Sequence, residues 1–189
     1  MVLAPAGWLL WRTLAGDLGA NPVEALTLET GHWTLRFLLL ALAATPLRRL
    51  SGWNGLLRHR RLLGLAAAGY ALLHLLIYAV LDQGLLWSQI GGDILKRPFI
   101  TAGMAAFVLL LPLAATSFDA AVRWLGARRW QGLHRLVYPA TVLALLHFWW
   151  KVKADTREPA LYAAVFGLLL AARFVTDRRR ARLRRRPSA

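Results

Sequence analysis

The sequence predicts an all-α, polytopic transmembrane helix bundle of five to six spans. Three observations carry that prediction. Of 189 residues, 58% are hydrophobic and only 17% charged, against about 25% charged in soluble domains. Mean hydropathy is +0.45 despite a very basic tail. The apolar residues also fall into separated runs of membrane-crossing length, with no strand alternation.

A crossing helix needs about 20 mostly apolar residues to cover about 30 Å of hydrocarbon. The runs at 33–47, 62–81, 99–118, 132–150 and 160–174 reach or approach that length, the first and last by extending into their flanks. A sixth candidate, 2–18, contains Arg12 and has no charged stretch ahead of its apolar part. It therefore does not read as a signal peptide.

The connections set the orientation. Arg48, Arg49, Arg58, Arg60 and Arg61 fall on one side with Arg123, Arg128, Arg129 and the eight arginines from Arg173 to Arg186. The other side has only Lys96, Arg97, Lys151, Lys153 and Arg157. The positive-inside rule makes the arginine-rich side, and hence the C-terminus, cytoplasmic. The net charge of +15 is then a topology signal and an attraction to anionic lipid, not a nucleic-acid footprint. Tyr78, Trp87, Trp149 and Trp150 near outer ends, and Trp53, Trp124 and Trp130 in inner loops, suit the membrane interfaces. The predicted organisation is one bundle over residues 1–175 and a basic cytoplasmic tail over 176–189.

The chain has no cysteine. That excludes disulfides, thiolate metal sites and covalent C-x-x-C-H haem attachment. No glycine-rich dinucleotide or phosphate loop is present. Any redox chemistry must come from histidines and a bound cofactor.

His74 and His147 lie deep in two apolar runs of the same predicted direction. A polar side chain there needs a partner. A histidine bonded to a neighbouring helix satisfies that need without a cofactor. Two at similar depth can instead give two axial nitrogens to one haem iron, an arrangement suited to electron transfer. Arg60 precedes His74 by 14 residues and His134 precedes His147 by 13, about 21 and 20 Å along a helix. The same helices thus offer a second level near the cytoplasmic face. An offset of 13 does not return to the same helix face, and Pro139 is expected to kink and rephase that segment. Arg60 suits a haem propionate better than iron, because arginine stays protonated. His59 is a rival for the inner ligand, or an interfacial residue. His32 is expected on an exposed outer loop.

The segments RRLLGLAAAGYALLHLLIY (60–78), LKRPFITAG (95–103) and LGARRWQGLHRLVYPATVLALLHFWW (125–150) together resemble the MsrQ-type haem-binding subunits, among the ferric-reductase-like transmembrane domains. The similarity extends through GDLGANPVEAL and TPLRRL, from about residue 16 to about 173. It implies a b-type cytochrome of the bacterial inner membrane with one or two haems. His74, His134 and His147 are its matching histidines, and Arg60 is the first of its basic pair. The segment ahead of GDLGANP is shorter than the family usually has.

The resemblance also implies an electron-transfer subunit without catalytic residues of its own. Electrons would come from the quinone pool or a cytosolic flavin reductase. They would go to a periplasmic molybdopterin reductase of protein methionine sulfoxide. FMN is associated with the family, and a flavin or quinone pocket is most plausible near Arg128, Arg129 and Trp130. Lys151, Lys153 and Arg157 are candidates for meeting an acidic partner, or merely flank a helix end. Two other readings share these features: a dihaem subunit of a hydrogenase or formate dehydrogenase, and a haem-free transporter or scaffold.

Overall fold

The computed structural model describes residues 2–152 and 154–184. Every regular element among them is helical. In chain order they are α1 (Ala4–Leu14), α2 (Pro22–Ser51), α3 (Gly55–Leu76), α4 (Trp87–Lys96), α5 (Pro98–Ala115), α6 (Asp119–Leu125), α7 (Ala127–Leu133), α8 (Val137–Lys151) and α9 (Arg157–Arg184). A π-helical stretch, Ile77–Asp82, prolongs α3, and a 3-10 turn, His134–Leu136, joins α7 to α8.

Local chemistry sets the ends. The Asn21 side chain accepts from the Glu24 N–H (3.3 Å) and Pro22 takes the first helical position, so α2 starts well before its apolar run. It stops at Gly52, whose φ of 72° is the left-handed conformation glycine adopts without a steric penalty. Three helical segments are long and apolar enough to cross a membrane: 58–82, 98–115 and 157–178. α8, with 15 residues, is shorter than that measure. The 2–18 candidate becomes α1, whose 11 residues make about 16 Å, roughly half the hydrocarbon thickness. α9 runs without a break past residue 175. Residues 185–189 of the expected tail lie outside the described residues.

The long helices pack as two close pairs, α2 with α3 and α5 with α8, and α9 lies along α2. One core cluster joins Phe37 and Leu38 of α2, Ala67 and Tyr70 of α3, Leu110 and Leu113 of α5, and Ala140 of α8. A second joins Leu35, Leu39 and Leu42 to Leu145 and Phe148 of α8 and Phe166 of α9. Ala67 and Ala140 are fully buried. Small residues at such crossings let backbones approach, and that close packing holds helices together where lipid removes the hydrophobic drive. Large side chains such as Leu72, Leu76, Val108, Leu111 and Leu168 point outward, as a lipid-facing surface requires.

The buried threonines are satisfied within their own helix. Thr30, Thr34 and Thr141 donate to the carbonyls of Leu26, Thr30 and Val137 at 2.7, 2.9 and 2.7 Å. Arg36, inside α2, donates to the Tyr162 hydroxyl (3.0 Å) and stacks over Trp33. Near the arginine-rich end, Arg49 pairs with Asp177 at 2.8 Å and Arg61 with Asp119 at 2.6 Å.

The start of α1 is held by one phenol. The Ala6 N–H donates to the Tyr70 hydroxyl (2.8 Å), which donates to the Val2 carbonyl (3.1 Å). Tyr70 lies midway along the 58–82 segment. Its replacement leaves an N–H that no helical turn can satisfy. Tyr70→Phe should therefore lower stability in detergent by about 1–2 kcal/mol. Thermal unfolding, and faster proteolysis of the 4–14 segment, are the measurements.

Candidate cofactor site

His74 projects from α3 and His147 from α8 toward one another. Their ring centroids are 5.9 Å apart with planes crossed at 88°. Each ring is tied to the backbone of its paired helix. His74 Nδ1 lies 2.9 Å from the Thr27 carbonyl of α2, and His147 Nδ1 lies 2.6 Å from the Phe99 carbonyl of α5. A carbonyl only accepts. In the neutral rings both Nδ1 atoms therefore carry the hydrogen, and both Nε2 atoms keep a lone pair. Such an outer hydrogen bond fixes a metal-binding imidazole in tautomer and orientation.

Two glycines make room for the rings. A Cβ on Gly103 would stand 2.7 Å from His147 Nδ1 and 3.2 Å from its Cγ. One on Gly31 would stand 3.3 Å from His74 Nδ1. A cavity of about 400 Å³ adjoins both histidines, walled by α2, α3, α5 and α8. That volume is in the range of small-molecule and cofactor pockets. Its interior is apolar, and its charged residues gather at the end remote from the arginine-rich tail.

No group of three or more His, Asp or Glu able to hold a bare ion occurs among the described residues. The donor set is instead two opposed neutral imidazoles over an apolar space. Two imidazoles sharing a metal from opposite sides, each nitrogen about 2 Å from it, have ring centres about 6 Å apart. The chemistry suits a metal whose remaining positions are filled by a planar macrocycle.

The comparisons with known proteins agree with this architecture. Residues 30–145 match the family model described as ferric reductase like transmembrane component. The protein-methionine-sulfoxide reductase heme-binding subunit MsrQ of Rhodospirillum rubrum is 55% identical over 98% of this chain and 89% of its own length. The subunits of the same name from Azospira oryzae and Ralstonia nicotianae are 53% and 56% identical, over 93% and 82% of this chain and 76% and 72% of their own.

The chain belongs to the MsrQ family of ferric-reductase-like transmembrane proteins. No solved structure matches it.

The second level, toward the arginine-rich end, is built differently from the His74–His147 pair. His134 sits in the 3-10 turn between α7 and α8, and its ring stacks on Trp130 with centroids 3.9 Å apart. Its Nε2 is 3.1 Å from Thr116 Oγ1, and the Trp130 indole donates to the Thr116 carbonyl (2.9 Å). Trp130, expected near a flavin pocket, thus packs on the histidine; Arg128 and Arg129 are exposed. Arg60 and Arg61 are within electrostatic reach of His134. Arg60 also shares its surroundings with Arg173 and Tyr138. His59 is exposed.

Two expectations need correction. Pro139 does not rephase the helix by a kink. It is the third residue of α8, in the first turn, where a missing N–H breaks no helical bond. A 3-10 turn, with fewer residues per turn, stands at His134 itself. His32 is also not on an exposed loop. It lies in α2 beside the cavity, edge-on to Phe148 at 5.3 Å and stacked on Tyr162 at 6.4 Å. Its Nε2 is buried, without a hydrogen bond and 3.5 Å from Glu158. The Asn21-Pro22 helix start was the signal that places it inside a helix. Of the outer cations, Lys151 lines the cavity and Arg157 is exposed. Lys153 lies outside the described residues.

The cradle makes a graded prediction. Gly103→Ala should drive His147 off the Phe99 carbonyl and cost about 1–3 kcal/mol of stability, whereas Gly31→Ala should cost less than half as much. Thermal unfolding of the two purified variants checks the order.

Proposed function

We propose that this chain is a transmembrane b-type cytochrome that passes electrons outward through His74, His147 and an iron porphyrin held between them. The pinned imidazole pair beside the cavity is the observation that carries this reading. The names of the relatives, heme-binding subunits of a protein-methionine-sulfoxide reductase, support it. A porphyrin iron held by these residues would supply a one-electron couple.

The residues of the chain have separable roles. His74 and His147 offer Nε2 lone pairs, and the Thr27 and Phe99 carbonyls hold those rings in the required tautomer. Gly31 and Gly103 keep the space the rings need. The apolar walls exclude water around the site. His134 is proposed to serve a second haem nearer the arginine-rich end, with Arg60, within electrostatic reach, holding a propionate. Two such centres make a path across the membrane.

On this reading the protein sits in a bacterial inner membrane with its C-terminus in the cytoplasm, and residues 176–189 meet anionic lipid. The donor is the quinone pool or a cytosolic flavin reductase, with FMN as an associated cofactor. The acceptor is a periplasmic molybdopterin subunit that reduces methionine sulfoxide in oxidised proteins. The chain itself is the electron-transfer subunit.

Haem stoichiometry tests the assignment. Detergent-purified protein should give one or two haems per chain by pyridine haemochrome, with sharp α and β bands on reduction. His74→Ala and His147→Ala should each remove the outer haem and reduce electron delivery to methionine sulfoxide by more than about tenfold. His134→Ala should lower only the remaining haem content. Full haem and full activity in either outer variant would show that these histidines are not the ligands.

A further inference from the structure

The charges around the cavity are divided between its walls. Leu28, Leu35, Ile100, Met104 and Phe107 make an apolar interior. Its charged lining comes from helix ends: Glu24 of α2 and Asp82 at the end of the π-helical stretch are acidic, and Arg97, just before α5, and Lys151, the last residue of α8, are basic.

The acids are engaged close to their own backbone. Glu24 Oε2 accepts from Asn21 Nδ2 (3.1 Å) and Asp82 Oδ2 from Gln83 Nε2 (2.8 Å). Arg97 is positioned from behind. Its Nε is 3.1 Å from Asp93 Oδ1, and Asp93 Oδ2 accepts from the Tyr78 hydroxyl (3.0 Å). One edge of the guanidinium is so occupied, and its fork has five N–H donors in all. Lys151 follows His147 by four residues, which puts it one turn further along the same helix face.

A ligand with an apolar body and two carboxylates on one edge cannot turn freely in such a cavity. Sinking a carboxylate among the leucines removes its hydration without a replacement. Glu24 and Asp82 repel it. Arg97 and Lys151 offer charge-assisted hydrogen bonds. Resting on the porphyrin reading above, we infer that Arg97 and Lys151 bind the propionates of the cofactor, and so fix its rotation about the His74–His147 axis with the carboxylate edge at the mouth on the α5 and α8 side. Asp93 and Tyr78 are positioning residues for Arg97.

The test separates the carboxylates from the rest of the porphyrin. Full-length haem-free protein in detergent is titrated with iron protoporphyrin IX and with its dimethyl ester, following the Soret band. The wild type should prefer the free acid by about tenfold or more, and Arg97→Met and Lys151→Met should each erase most of that preference. Both variants should keep their affinity for the ester within about twofold, which shows that the cavity is still folded. Arg97→Lys should retain part of the preference. Equal wild-type affinity for the two compounds, or a preference unchanged in both Met variants, overturns the propionate assignment while leaving the porphyrin site standing. A wild type with no Soret shift for either compound overturns the porphyrin reading and this inference with it.

Discussion

The arrangement depends on two hydrogen bonds, each from an imidazole Nδ1 to a main-chain carbonyl of the adjacent helix. In a medium without water, an intramembrane histidine must find a partner within the protein. Here the partner is a backbone atom, which cannot rotate away or ionise. The bond satisfies one nitrogen and leaves the other as a lone-pair donor. It also links a side chain to a neighbouring helix, so helix packing and ring orientation are one problem with one solution. Gly103 belongs to that solution because a Cβ there would collide with the His147 ring, and Gly31 because one would crowd His74.

The rest of the bundle answers the same constraint. Threonine hydroxyls return to carbonyls of their own helices, Arg36 reaches Tyr162, and Tyr70 closes the start of α1. These polar side chains each have a partner within reach, and much of the exterior is left to leucine and valine. The charge that cannot be hidden collects at the two ends. One end is rich in arginine, and the other shares a few acids and bases around the cavity mouth.

Much of this was legible in the chain. Continuous apolar runs announced the helices because only a helix satisfies its own backbone in lipid. His74 and His147 stood out because few polar groups occur so deep in such runs. What stayed hidden was short-range geometry. The start of α2 is polar, so the hydropathy pattern began it late and left His32 outside. The 3-10 turn at His134 and the π-helical stretch after His74 each change the phase of a helix over a few residues, and no periodicity in apolar residues reports that. The glycine cradle depends on which helices lie opposite, which one sequence does not state.

The pairing of the helices bears on how the site is spaced. His74 is fastened to α2, the close neighbour of its own helix, and His147 to α5, the close neighbour of its own. Each imidazole is therefore positioned by one of two packed helix pairs, and neither fastening bridges the gap between them. What bridges it is packing: Phe37, Leu38 and Ala67 of one pair meet Leu110, Leu113 and Ala140 of the other, so the distance between the two rings is set by the core and not by either fastening.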